Sequence, residues 1–94
     1  MNTKTFDNLQ ARLATAPAGS AAHLTVTFLL AISARQQAQG LGNAELARRM
    51  GVTPAYITRL YQGSANLSLD TMTRLASAVG GMVQVGVEGG TTVS

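Results

Sequence analysis

The chain has 94 residues, of which 46% are hydrophobic and 12% are charged, and its net charge is +3. These values favour one small globular domain over a disordered chain, and the charge is too small to indicate nucleic-acid binding by itself. The absence of cysteine excludes disulfides, thiolate metal sites and a thiol nucleophile, and it suits a cytoplasmic location.

Two helices are predicted in the first part of the chain. The first covers residues 2–15, where three apolar residues share one helical face: Phe6, Leu9 and Leu13. After the break "APAGS", Ser20 can cap a longer helix from Ala21 to Gln39, and Gly40 is a natural stop. The apolar stripe of this second helix is predicted to consist of Leu24, Phe28, Leu29 and Ile32.

No residue between Arg12 and Arg35 carries a formal charge, so a membrane-spanning helix has to be considered for this stretch. A spanning helix needs about 20 predominantly apolar residues, whereas polar residues and the break "APAGS" interrupt this stretch. Its apolar part also begins too late for a signal peptide. The sequence therefore predicts a cytoplasmic protein without a membrane partner.

Two short helices follow, from Asn43 to Met50 and from Pro54 to Gln62, with almost no chain between them. Gly51 tolerates the unusual backbone conformation of a tight turn, and Thr53 is a good N-cap. The pattern predicts a helix-turn-helix, whose second helix can enter the DNA major groove. We expect Leu46, Ala47, Met50, Ile57 and Leu60 to be buried, and Ala55, Tyr56, Thr58, Arg59 and Gln62 to point outward.

A fifth helix is predicted after Ser68, with an apolar face that consists of Leu69, Met72, Leu75, Ala76 and Val79. Beyond it, apolar and other residues alternate, and this pattern predicts a strand around Val83, Val85 and Val87. A lone strand leaves its backbone groups unpaired, and no other segment reads as a strand. We therefore expect a second copy of the chain to pair with it in a homodimer, and a dimer packed through the fifth helix is the alternative.

The stretch "LGNAELARRMGVTPAYITRLYQGSANLSLDTMTRLASAVG", residues 41–80, resembles the Cro/CI-type (Xre) helix-turn-helix family. The family's scaffold positions match Leu46, Ala47, Gly51, Val52, Ile57 and Leu60. The resemblance implies an all-α, five-helix lambda-repressor-like domain with an extra N-terminal helix and a short C-terminal β-strand. The expected division is a helix and linker at 1–19, the DNA-binding domain at 20–81, the dimerisation strand at 82–88 and a disordered tail at 89–94.

The resemblance also implies a dimer on a pseudo-palindromic operator in double-stranded DNA. By position, the expected base contacts are Thr53, Ala55, Tyr56, Thr58 and Arg59, and the expected phosphate contacts are Asn43, Arg48, Gln62, Ser64 and Asn66. Arg59 suits guanine, because arginine can donate two hydrogen bonds to O6 and N7. Some family members pair an arginine with an acid at positions that hold Gln36 and Tyr61 here, so we expect a hydrogen bond in its place.

The predicted function is sequence-specific transcriptional regulation by a dimeric repressor, at its own or a neighbouring promoter, with no cofactor and no metal. A second possibility is an antitoxin or another protein-interaction module, because the ending "GGMVQV" is similar to antitoxins of the host-inhibition-of-growth type and to small phage regulators. In that case the face of Phe6, Leu9 and Leu13, or the valine strand, would bind a toxin or other partner. An enzyme is not expected, since one histidine and four scattered acidic residues form no acid–base pair.

Overall fold

The computed structural model describes residues 3–63 and 67–88. These residues form five α-helices and no strand: α1 (Thr3–Thr15), α2 (Ala21–Gln39), α3 (Asn43–Met50), α4 (Pro54–Gln62) and α5 (Leu69–Ala78). The all-α prediction is confirmed, and the N-terminal helix is one of the five helices rather than an addition to them. Within the described ranges, none of the helices combines the length and apolarity that a bilayer crossing requires.

The helices begin where local capping chemistry allows. The side-chain oxygens of Ser20, Thr53 and Ser68 each accept a hydrogen bond from the backbone N–H three residues later, at 3.1 Å in each case. Each bond satisfies a donor that has no partner inside its helix, which explains why α2, α4 and α5 start where they do. The predicted end of α2 is also confirmed, since Gly40 adopts φ 63° and its N–H donates back to the last turn.

One hydrophobic core joins all five helices. Its fully buried aliphatic side chains are Leu9, Val26, Leu29, Leu46, Ile57, Leu75 and Val79. The buried residues predicted for α3 and α4 are confirmed, and Leu9 brings α1 into the same core. The N-terminal helix therefore packs on the domain as part of its structure.

Two residues assigned to apolar faces are exposed instead. Leu24 on α2 keeps 58% of its surface and Leu69 on α5 keeps 62%, so the prediction was wrong for both. The buried face of α2 is turned toward Val26 and Leu29 and is completed by two polar residues, Ser33 and Gln36. A prediction from the hydrophobic residues alone misses this face, because two of its buried residues are polar.

The C-terminal β-strand predicted at 82–88 is not seen, because residues 81–88 have no regular secondary structure. A strand exists only where a second extended segment pairs with it, and the described residues of one chain offer none. Val83 is partly buried, whereas Val85 and Val87 are 77% and 97% exposed. The tail predicted to be disordered, 89–94, lies outside the described residues.

We expect the substitution Leu9→Ala to lower the free energy of unfolding by about 2–5 kcal/mol, because it leaves a cavity where α1 meets the core. Urea denaturation followed by circular dichroism measures this change. Gln10→Ala is the control on the same helix, since Gln10 is exposed, and we expect it to change stability by less than about 0.5 kcal/mol. Equal effects of the two substitutions would contradict the docking of α1 on the core.

Candidate nucleic-acid interface

The connection between α3 and α4 is a tight turn closed by backbone hydrogen bonds. Gly51 adopts φ 70°, its N–H donates to the Arg48 carbonyl at 3.2 Å, and the Val52 N–H donates to the Ala47 carbonyl at 3.0 Å. These two bonds form a Schellman motif, which satisfies the last carbonyls of a helix. A residue with a side chain is strained at this φ, so glycine allows α3 to end and α4 to begin within three residues.

Helix α4 has one buried face and one exposed face. Ile57 and Leu60 are buried in the core that also contains Leu46 and Ala47 from α3. The opposite face places the predicted base contacts at the surface: Thr53, Ala55, Thr58 and Arg59 are exposed and Tyr56 is partly buried. Gln62, a predicted phosphate contact, is exposed at the end of the same helix. The turn and the core together hold this face in a fixed orientation.

Arg59 lies against an aromatic ring on the exposed face. Its guanidinium carbon is 5.9 Å from the centre of the Tyr56 ring, one helical turn away. A cation at this distance is attracted to the electron-rich face of the ring. The contact places the Arg59 guanidinium beside Tyr56 on the outer side of α4.

The two threonines of the exposed face use their hydroxyl groups within the protein. Thr53 Oγ1 accepts the Tyr56 N–H at 3.1 Å, and Thr58 Oγ1 donates to the Pro54 carbonyl at 3.2 Å. With its proton committed, Thr58 offers DNA mainly a methyl group, which suits contact with a thymine methyl.

A buried amide joins α2, α3 and α4. Gln36 Nε2 donates to the Leu41 carbonyl and to Asn43 Oδ1, both at 3.0 Å, and Gln36 Oε1 accepts a hydrogen bond from the Tyr61 hydroxyl. This confirms the prediction that a hydrogen bond between Gln36 and Tyr61 replaces an ion pair. Burial raises the pKa of Tyr61 well above its usual range, so the hydroxyl stays protonated and donates.

The same network orients Asn43 at the start of α3. Because its Oδ1 accepts from Gln36, its amide NH₂ is left for another acceptor, and the side chain is only partly buried. An amide donor at the surface suits the phosphate contact predicted for this residue.

Arg48, another predicted phosphate contact, is paired on the surface of α3. Its Nε is 3.1 Å from Glu45 Oε1, and Arg49 Nε is 3.4 Å from Glu45 Oε2. The hydrogen bond from Arg48 lowers the pKa of Glu45, and the same bond raises the pKa of Arg48. The Arg48 side chain is 78% exposed, so salt and solvent screen the pair and a phosphate can compete with Glu45.

Four arginines hold the carboxyl ends of helices, a role that was missed from the sequence. The donor–acceptor pairs are Arg12 with the Tyr61 carbonyl (2.7 Å), Arg74 with Met50 (2.6 Å), Arg49 with Ala78 (2.9 Å) and Arg35 with Val79 (3.1 Å). Cations are favourable at these ends, where carbonyls lack partners inside the helix. No local pattern indicated these pairs, because each joins residues far apart in the chain.

A polar groove of about 720 Å³ lies between α1 and the exposed face of α4. Residues of α1 line one side, and Asn43, Thr58 and Gln62 line the other. The sequence had placed no residue of the N-terminal helix near the candidate DNA contacts. Two of the predicted phosphate contacts, Ser64 and Asn66, lie outside the described residues.

A tight glycine turn joins α3 to α4, and α4 has one buried face and one exposed face. These features define a helix-turn-helix domain. The chain belongs to the Cro/CI-type (Xre) helix-turn-helix family, since the family model described as "Helix-turn-helix" matches residues 32–81, more than half of the chain. It is therefore a DNA-binding regulatory domain, and its partner is double-stranded DNA. Comparisons with curated proteins and with solved structures give no match.

We expect Tyr61→Phe to lower the free energy of unfolding by about 1–3 kcal/mol, because it leaves the buried Gln36 Oε1 without its donor. Thermal and urea denaturation measure the loss. Tyr56→Phe is the matched control on the exposed face, and we expect an effect below about 0.5 kcal/mol. If Tyr61→Phe were as stable as the wild type, the amide network would not constrain α4.

Proposed function

We propose that the protein is a sequence-specific transcriptional repressor that occupies a pseudo-palindromic operator as a homodimer, at its own or a neighbouring promoter. The observation that carries the proposal is the exposed face of α4, which the Gly51 turn and the Gln36–Tyr61 hydrogen bond hold in place. Repression by occupancy needs no cofactor, because phosphate contacts fix the position of the protein and the helix in the groove reads the bases.

In this mode Arg59 reads a guanine, and the small apolar groups of Ala55 and Thr58 meet thymine methyls. The Tyr56 ring contacts the Arg59 side chain, and Thr53 caps the end of α4 that faces the major groove. The proposed phosphate contacts are Asn43, Arg48 and Gln62, with Ser64 and Asn66 in the following loop. Specificity thus rests on one charged side chain and several small ones.

An exposed group of large apolar side chains around one groove supports dimerisation. This apolar surface consists of Leu24, Leu69, Met82 and Val85, and Val87 follows it in the chain and is also exposed. A groove of about 650 Å³ runs through part of it, between α2, α5 and the C-terminal segment. Contiguous apolar surface on a small domain usually marks an interaction site.

Two copies related by a twofold axis can pair their segments 82–88 as strands. This pairing would satisfy backbone groups that one chain leaves open, and it would cover part of the apolar surface. A dimer that spaces its two α4 helices about 34 Å apart matches half-sites one DNA turn apart.

A toxin or other protein partner is the second candidate, and the apolar surface is also the observation that favours it. The α1 face of Phe6, Leu9 and Leu13 is largely covered by the rest of the domain, because Leu9 is buried and Leu13 packs against the core. A partner protein would therefore compete with the second copy for the surface around Val85 and Leu69.

The test of sequence reading is fluorescence anisotropy on the upstream DNA and on scrambled DNA. We expect Arg59→Ala to remove about 1–3 kcal/mol of discrimination per half-site, because the bidentate contact to guanine is lost. Arg48→Ala is the control, since a lost phosphate contact weakens binding to both DNAs alike. Equal wild-type affinity for the two DNAs would contradict the proposed function.

The test of the strand-paired dimer is Val85→Pro, measured by sedimentation equilibrium. We expect the dimer to weaken, because proline removes a backbone donor from the pairing. Val85→Thr keeps that donor and is expected to remain dimeric. A Val85→Pro protein with unchanged dimerisation would rule out pairing through 82–88, leaving the helical part of the apolar surface, Leu24 and Leu69, as the contact.

A further inference from the structure

We infer that the first turn of α1 belongs to the DNA interface and that Lys4 contacts a phosphate of the strand that also passes Asn43 and Gln62. The inference rests on the proposed DNA-binding mode. It extends that mode to a helix outside residues 32–81, the part of the chain that the family model matches.

The polar groove beside α4 carries the inference. Its α1 side consists of Lys4, Thr5, Asp7 and Asn8, and its other side consists of Asn43, Thr58, Tyr61 and Gln62. Thr58 and Gln62 lie on the exposed face of α4, one turn apart. A DNA backbone that reaches Asn43 and Gln62 therefore crosses the mouth of this groove and comes within reach of the α1 side chains.

The position of α1 is fixed by packing on α2 and by a hydrogen bond to α4. Leu9 is fully buried, and Arg12 Nη1 donates to the Tyr61 carbonyl at 2.7 Å. Lys4, Asn8 and Arg12 are spaced four residues apart, so they lie along one side of α1. The side that Arg12 anchors to the end of α4 is thus the side that presents Lys4, about 12 Å away along the helix axis.

The charge distribution favours a phosphate as the partner of the Lys4 side chain. Lys4 is the one lysine among seven basic residues, and it is exposed. Four of the six arginines donate to helix-end carbonyls, and Arg48 is paired with Glu45. A lysine on a long flexible stem acts as a point charge toward phosphate. Asp7, on the same groove, has the opposite effect, since its carboxylate repels a phosphate.

The experiment measures binding to upstream and scrambled DNA at several salt concentrations. For Lys4→Gln we expect the slope of log affinity against log salt to fall in magnitude by about 0.9, the value for one phosphate contact. Affinity should fall by the same factor on both DNAs, about eightfold at 0.1 M salt, which is the ratio that a slope change of about 0.9 gives relative to 1 M. Lys4→Arg should restore both the slope and the affinity, because the positive charge is kept.

Two charge-matched variants separate a local contact from a change in net charge. Asp7→Asn and Asp70→Asn each remove one negative charge, and only Asp7 lies on the groove. We expect Asp7→Asn to tighten binding and Asp70→Asn to leave it unchanged, because salt at 0.1 M screens an exposed charge that lies more than about 10 Å from the phosphate.

The outcomes distinguish this inference from the proposed function. A wild-type protein that prefers its upstream DNA, together with an unchanged slope for Lys4→Gln, overturns the inference alone. Equal wild-type binding to both DNAs, with the Lys4 effect intact, overturns the sequence-reading function and supports the phosphate contact. A wild-type protein that binds neither DNA overturns both.

Discussion

The buried amide of Gln36 is the constraint on which the DNA-facing surface depends. Apolar packing alone is non-directional, so it would tolerate small rotations of α4 against the core. A buried amide does not tolerate them, because each polar atom that loses its partner incurs a desolvation cost. Gln36 meets this requirement through Leu41 in the connection before α3, Asn43 at the start of α3 and Tyr61 at the end of α4. The position of α4 relative to Asn43 thus follows from hydrogen-bond geometry inside the domain.

The basic residues serve the fold more than the surface. Arg12, Arg35, Arg49 and Arg74 donate to carbonyls at the ends of α3, α4 and α5, in addition to the backbone caps that end these helices. Each guanidinium keeps its positive charge, but the N–H groups that it donates to these carbonyls do not bind a phosphate. A domain of this kind gains less from counterion release than a polybasic protein, and it depends more on contacts with base edges.

Local chemistry made the helix boundaries predictable from sequence, and tertiary geometry made the rest unpredictable. Ser20, Thr53 and Gly51 act within a few residues of themselves, so their effects are visible in the sequence. The exposed face of α4 followed in the same way from its buried residues. Leu24 was wrongly predicted to be buried, because burial depends on which neighbouring helix a face contacts. The alternating valines indicate a strand only where a second extended segment can pair with them. The groove that contains Lys4 exists only after α1 has docked, and no local pattern specifies that docking.

The hydrogen bond between Arg12 and the Tyr61 carbonyl also links two motions of the domain. It ties the helix nearest the start of the chain to the last turn of α4 across 49 positions. When α1 undocks, the Tyr61 carbonyl loses this cation, and the last turn of α4 depends more on the Gly63 cap and on the bond between Tyr61 and Gln36. Loosening of the N-terminal helix therefore weakens one of the contacts that order the end of α4.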